Sequence, residues 1–231
     1  MRSVIIAGRF NGPADSGNGG YSAGLIASLV DSDAGRPGKS AVTVTLRRPP
    51  PLDTALSVKT RPDGGVAVYH DDRLIADALP ADPPAGPPVR PVTENEAYAV
   101  AKDYPGFVEH PFPSCYVCGP DRAAGDGLRI FPAPLADGRT AAVFSVPAEV
   151  TTATVWAALD CPGGWAITEP GRRYVLGRVT AAVTRLPVPA TRCVVMGELI
   201  GMDGRKAQVR SAVYGPDGAL LARAEATWIG L

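Results

Sequence analysis

Two stretches of the sequence predict helices with no strongly polar face. Residues 20–31 carry small or apolar side chains on nearly every side, which for a helix indicates burial all round. A second helix is predicted over 152–160. Around them, β-branched stretches separated by turn-forming residues predict antiparallel strands. The predicted strands lie at 41–46, 56–59, 66–70, 74–78, 128–131, 141–146, 174–183, 192–199, 207–214 and 220–229.

The order of these elements occurs twice along the chain, each time as one helix followed by several strands. Several landmarks recur without a gap 137 residues later. We therefore predict two tandem units, 1–79 and 114–231, joined by 80–113. The matching residues are Arg48, Pro50 and Thr54 in the first copy and Arg185, Pro187 and Thr191 in the second, with Val42-Thr43 matching Val179-Thr180.

The segment between the units begins as a proline-rich connection. Residues 80–91 contain six prolines, which cannot continue a sheet ladder or a helix interior, so a stiff extended linker is expected. Thr93 followed by Glu96 fits a capping box that opens a short helix through about Lys102.

Composition restricts the classes of partner. The chain has 231 residues, 45% of them hydrophobic, with 23 Lys and Arg against 23 Asp and Glu. A formally neutral chain has no long-range positive field for phosphate backbones, so we expect no nucleic-acid partner. The apolar run at 4–7 is too short for a signal-peptide core or a membrane span, so a soluble cytoplasmic protein without a membrane partner is predicted.

Five motifs resemble hotdog thioesterases. FNGP at 10–13 and NGGY at 18–21 resemble the amino-terminal half of double-hotdog acyl-CoA thioesterases. CYVCGP at 115–120, GLRI at 127–130 and WAALD at 156–160 resemble the phenylacetate-type thioesterases, where a CxxCG element precedes the first strand and an aspartate lies on the central helix. The resemblance implies an α+β fold in which two tandem hotdog units form one continuous curved antiparallel sheet around central helices.

The resemblance also implies one composite site. Single hotdogs of this type carry His-Gly-Gly at the helix entry and a carboxylate nine positions after the histidine. Here Asn18-Gly19-Gly20 opens the first helix, but Ala27 stands where the carboxylate would be. The second helix has Asp160 nine positions after Thr151 and no entry glycines. Because each half keeps what the other lacks, we expect Asn18-Gly19-Gly20 to face Asp160 across the boundary between the halves.

That pairing suits thioester chemistry. The Gly20 N–H, and Asn18 as a second donor, would stabilise an oxyanion at the helix entry. Asp160 would deprotonate a water molecule or attack the carbonyl directly. An aspartate before a Pro-Gly-Gly turn could instead cap that turn, and a glycine pair could serve tight packing alone. The expected substrate-binding residues are Gly19, Tyr21, Trp156, Arg47 and Arg48.

The arginines and the tryptophan leave two interpretations open. Arg47 and Arg48, like Arg172-Arg173, stand near predicted sheet ends where the phosphates of a coenzyme could lie, or they are solvated surface residues. Trp156 belongs to the core, to the wall of an acyl slot, or to both.

The cysteines and histidines indicate no further centre. Cys115 and Cys118 have the spacing of half a zinc site, but no second CxxC or nearby His pair follows, so we predict structural thiols and no bound metal. Cys161 and Cys193 stand alone, and the two histidines, His70 and His110, have no recognisable triad partner.

The function expected from these features is hydrolysis of a small or medium acyl thioester, carried by coenzyme A or by a carrier protein, without a cofactor. The alternatives are a non-catalytic hotdog that binds an acyl ligand and, third, a hydratase or dehydratase, which would want a histidine beside the aspartate at the helix entry. A homo-oligomer is compatible with the sequence.

Overall fold

A single antiparallel sheet forms the frame of the protein. The computed structural model describes residues 2–30, 41–167 and 172–231. Within this part of the chain, eleven strands pair in the order β1-β3-β4-β5-β2-β8-β11-β10-β9-β7-β6. The strands are β1 Arg2–Val4, β2 Ala41–Leu46, β3 Leu56–Thr60, β4 Val66–His70, β5 Arg73–Ala81, β6 Ala133–Pro134, β7 Thr140–Ser145, β8 Tyr174–Val183, β9 Arg192–Asp203, β10 Lys206–Tyr214 and β11 Leu220–Gly230.

The two halves of the sheet meet where β2 pairs with β8. Thr43 and Thr180 are direct partners in this pairing, and their Oγ1 atoms lie 2.7 Å apart. They are also separated by the 137 residues that relate the two copies in the sequence. A residue faces its own counterpart in this way where an approximate two-fold axis passes between two equivalent strands. The expected continuous sheet built from two tandem units is confirmed.

The two longer helices cross closely and pack against the sheet. They are α1 Gly19–Ala27 and α3 Thr152–Trp165, and the short α2 covers Glu94–Val100. A Cβ at Gly24 would lie 2.6 Å from the Trp156 Cβ and 2.8 Å from the Ala153 Cα, so glycine permits this approach. Both helices are buried on nearly all sides, as their apolar pattern predicts.

Some predicted boundaries were wrong. Helix α1 ends at Ala27 rather than at 31, because the Leu29 and Val30 N–H groups bond the Ile26 and Ala27 carbonyls three residues back instead of carbonyls four residues back. Asp31, the last residue of the predicted helix, lies outside the described residues. Helix α3 continues past 160 to Trp165, with Pro162 inside it.

The predicted strand at 128–131 is also wrong. Arg129 has a φ of +50°, in the left-handed region, and this interrupts the extended conformation that a strand requires. The segment still pairs locally, since the Leu128 and Ile130 N–H groups donate to the carbonyls of Tyr116 and Val117 at 2.9 Å.

The linker lies against the second half of the sheet. Strand β5 runs to Ala81, so the extended chain begins slightly later than expected. Val89 is buried, and its carbonyl accepts a hydrogen bond from the Tyr214 hydroxyl at 2.6 Å. The predicted capping box of Thr93 and Glu96 opens α2. The unit boundaries at 79/80 and 113/114 remain a prediction. Among the described residues, no helix is both long and apolar enough to cross a membrane.

Candidate active site

A cavity of about 560 Å³ opens at the boundary between the two halves. The entry of α1 and the carboxyl half of α3, where the lining residues Asn18, Asp160 and Cys161 are buried, form its floor. The start of β8, the end of β11 and the loop after β2 also line it. Its aromatic and apolar lining includes Phe112, Trp165, Tyr174, Leu176, Trp228 and Ile229.

Asp160 and the entry of α1 are in direct contact at the floor of this cavity. One carboxylate oxygen, Oδ2, accepts a hydrogen bond from the Gly20 N–H at 2.9 Å and another from Asn18 Nδ2 at 3.1 Å. The other oxygen, Oδ1, is buried and has no hydrogen-bond partner within the described residues. The structure therefore brings together the three residues to which the sequence assigned the chemistry, although Asn18 and Asp160 stand 142 positions apart.

The environment of Asp160 favours its protonated form more than water does. Only 7% of the residue is exposed. Burial raises the pKa of Asp160 to about 7, and the hydrogen bonds from Gly20 and Asn18 oppose that rise. The carboxyl can therefore gain or lose a proton near neutral pH.

Asn18 holds its orientation because it also caps α1. Its Oδ1 accepts the Tyr21 N–H at 2.8 Å, which fixes the opposite end of the amide, Nδ2, as the donor toward Asp160. The same Nδ2 lies 3.7 Å from the Cys115 sulfur. The amide thus joins the helix entry, the carboxylate and a buried thiol.

The geometry changes the expected role of the entry glycines. The Gly20 N–H is already bound to Asp160, and Gly20 does not line the cavity, so it is not available as an oxyanion donor. Gly19 lines the cavity as the first residue of α1, and its N–H has no partner in the described part of the chain. A Cβ at Gly19 would lie 2.8 Å from the Leu176 Cβ, so glycine keeps the cavity wall close to this backbone donor.

Two expected substrate-binding residues lie outside the cavity lining. Tyr21 stacks on Phe10 with ring centroids 3.8 Å apart, and neither residue lines the cavity. Trp156 is buried where the two helices cross, against Gly24. An aromatic residue near the motif was the only sequence signal for either role, and helix packing decides which way each ring points.

The four arginines singled out in the sequence all line the cavity. Arg47 is half-exposed, and its Nε donates a hydrogen bond to Asp77 Oδ1 at 2.7 Å. Arg48, Arg172 and Arg173 are exposed. The lining therefore carries four arginines against two aspartates, Asp15 and Asp160, together with a largely apolar surface.

Two further polar groups of the lining have no partner in the described structure. The Tyr174 hydroxyl and the Trp228 indole N–H are buried and unpaired. Buried donors of this kind are usually satisfied by water or a ligand. Neither residue was predicted from the sequence, because each lies in a strand whose pattern indicates only packing.

Comparisons with known proteins support the fold. No family model and no curated relative matches the chain. Among solved structures, a TesB protein of Mycobacterium avium subspecies paratuberculosis is similar over 99% of this chain and 92% of its own, with a TM-score of 0.64 at 11% identity. A candidate thioesterase of Novosphingobium aromaticivorans is similar over 98% of this chain and 94% of its own, with a TM-score of 0.61 at 14% identity.

A third solved structure is described by its fold. It is a conserved hot dog protein of unknown function from Alicyclobacillus acidocaldarius. The similarity covers 99% of this chain and 92% of that protein's chain, with a TM-score of 0.58 at 12% identity. Since these likenesses span nearly the whole chain, the protein has the double-hotdog fold that its motifs imply. At such identities the comparisons define the fold alone.

Proposed function

We propose that the protein hydrolyses acyl thioesters in the cavity between its two halves. The observation that carries this proposal is the contact of Asp160 with the entry of α1. Within the described residues, it supplies a carboxylate with one unpartnered oxygen beside a helix terminus whose first N–H, that of Gly19, has no partner. The names of similar solved structures, a TesB protein and a candidate thioesterase, support the same class of reaction.

In the proposed reaction, the thioester carbonyl oxygen accepts the Gly19 N–H. Asp160 takes a proton from a water molecule through Oδ1, and the resulting hydroxide attacks the carbonyl carbon. Collapse of the tetrahedral intermediate breaks the C–S bond, and the leaving thiolate takes up the proton. The products are a carboxylic acid and a thiol. Asn18 and the Gly20 N–H hold Oδ2 throughout and so act as positioning groups.

The cavity suits a small or medium acyl group with a phosphorylated carrier. Phe112, Trp165 and Trp228 provide apolar surface near the floor, where an acyl chain would lie. The exposed arginines of the lining would meet the phosphates of coenzyme A or of a carrier-protein arm. We therefore place the acyl group inside and the carrier at the entrance.

The test is thiol release from a panel of acyl-CoA esters of increasing chain length. Enough protein is used that thiol release can be distinguished from the uncatalysed hydrolysis of each ester. Saturable thiol release from at least one ester supports the proposal. Tight ester binding without thiol release from any member would instead favour the non-catalytic ligand-binding hotdog.

The arginines give a prediction that separates carrier from acyl recognition. Replacing both Arg48 and Arg173 by alanine should raise KM for an acyl-CoA by about fivefold per arginine, from ~1 kcal/mol for each exposed ion pair, with kcat little changed. KM for the matching N-acetylcysteamine thioester, which has no phosphates, should not change.

The control for this prediction is Arg61→Ala, an exposed arginine paired with Asp63 away from the cavity. It should leave both KM values unchanged. An equal rise in KM for both thioesters would show that the arginines act on the cavity in general and would contradict phosphate recognition.

A further inference from the structure

Three cysteine thiols meet beside the proposed active site. The Sγ atoms of Cys115, Cys118 and Cys161 all lie within 4.8 Å of one another, and each residue is buried. All three also line the cavity. The sequence suggested that Cys115 and Cys118 lack further ligands. That premise was wrong, because α3 carries Cys161 to the same point.

We propose that these three thiolates bind one zinc ion whose fourth position faces the cavity. Zinc takes cysteine sulfur at about 2.3 Å in a tetrahedral arrangement, which places the sulfur atoms roughly 3.8 Å apart. The cluster is compact enough to adopt that spacing with small side-chain adjustments. Metal binding at this site is a property separate from the proposed hydrolysis, and the occupancy of the site can be measured without any substrate.

The CxxC loop has the local structure of a metal-binding turn. The Gly119 N–H donates to the Cys115 carbonyl at 2.9 Å and closes the turn. A Cβ at Gly119 would lie 2.5 Å from the Cys115 nitrogen, so this position requires glycine. Two sulfurs are therefore held on a rigid loop and the third on a helix.

Side-chain nitrogen atoms from outside the CxxC loop approach two of the sulfur atoms. Asn18 Nδ2 lies 3.7 Å from the Cys115 sulfur, and His110 Nε2 lies 3.4 Å from the Cys118 sulfur. Donors of this kind spread the negative charge of metal-bound thiolates and orient them.

His110 is a donor to the cluster and not a fourth ligand. Its Nδ1 accepts the Phe112 N–H at 2.9 Å, so in the neutral ring the proton sits on Nε2 and points at the Cys118 sulfur. In the described part of the chain, no fourth His, Cys, Asp or Glu joins the group. Three protein ligands with a free position toward a cavity are typical of zinc sites that accept water or an external ligand.

The first test is metal analysis of the full-length protein purified under reducing conditions without chelators. We expect about one zinc per chain. After zinc is exchanged for cobalt(II), the protein should show the thiolate-to-cobalt charge-transfer absorption and the visible bands of a tetrahedral site. This spectrum needs no variant and decides the question even if cysteine substitutions impair folding.

Substitutions then assign the ligands. Cys161→Ser and Cys118→Ser should each weaken zinc binding at least tenfold, whereas Cys193→Ser should retain one zinc, since Cys193 lies in β9 and is not part of the cluster. The proposal is overturned if the wild-type protein takes up neither zinc nor cobalt(II) at stoichiometric concentration. Unchanged zinc affinity in Cys161→Ser, or a Cys115–Cys118 disulfide in the reduced preparation, would overturn it as well.

The result is independent of the proposed hydrolysis. A protein that binds zinc but releases no thiol from any ester keeps the metal site and loses the thioesterase function. A protein that turns over esters with no metal bound does the reverse.

Discussion

Asp160→Asn is expected to lower kcat for thioester hydrolysis by roughly 10²-fold or more, with the dissociation constant for the ester little changed. The amide has the shape of the carboxyl group, and its oxygen can accept the same hydrogen bonds from Gly20 and Asn18. It cannot take a proton from water. The loss should therefore appear in the chemical step, measured as thiol release under single-turnover conditions.

Two measurements keep this prediction specific. Asp72→Asn, at an exposed turn between β4 and β5, should leave kcat unchanged. The unfolding temperature of Asp160→Asn should stay within a few degrees of the parent, because the substitution keeps the volume and the hydrogen bonds. Parent-like turnover in Asp160→Asn would remove the carboxylate from the mechanism and leave only a binding role for the cavity.

The complementary motifs predicted the central contact of the candidate site. Asn18-Gly19-Gly20 without a carboxylate, and Asp160 without glycines, indicate a pairing across the halves only if a two-fold relation brings the helices together. The sequence contains that relation in its 137-residue offset. For this reason, residues so distant in the chain could be assigned to one site from the sequence alone.

The sequence did not predict which N–H group at the entry of α1 bonds Asp160 and which one stays free. Which glycine N–H is free depends on whether the Asp160 side chain turns toward the helix entry, and that is set by the rotamer and by the separation of α1 and α3. The positions of Tyr21 and Trp156 depend on the same packing. A motif gives the residue types at a helix entry, but it does not give the side of the helix that each one faces.

The sequence also did not predict that Cys161 lies beside Cys115 and Cys118. Cys161 is 43 positions from Cys118, in a helix with no spacing typical of a metal ligand, so no local pattern links the two. Only the crossing of α3 past the CxxC loop brings their sulfur atoms within 4.8 Å of one another. A spacing pattern in the sequence indicates only ligands that share a loop or a helix face. It does not indicate ligands that separate elements contribute.

The second large effect is expected at the helix crossing itself. Gly20→Ala would place a Cβ 2.5 Å from the Asp160 Cβ and 2.6 Å from the Trp156 carbonyl oxygen, both on α3. The helices must then move apart at the point where Oδ2 bonds the Gly20 N–H. We expect a loss of roughly 2–3 kcal/mol in the free energy of unfolding, from overpacking, which corresponds to a drop of about 4–12 °C in Tm for a chain of this size.

Activity and stability should fall together in this variant, unlike in Asp160→Asn, because the displaced helix disturbs both the packing and the position of the carboxylate. Gly201→Ala is the matched control, since a Cβ there meets no atom within 4 Å. Its free energy of unfolding should change by no more than about 0.5 kcal/mol. If Gly20→Ala unfolds at the same temperature as Gly201→Ala and keeps parental turnover, then α1 and α3 do not approach each other as closely as described. The contact between Asp160 and the helix entry would then not be what organises the site.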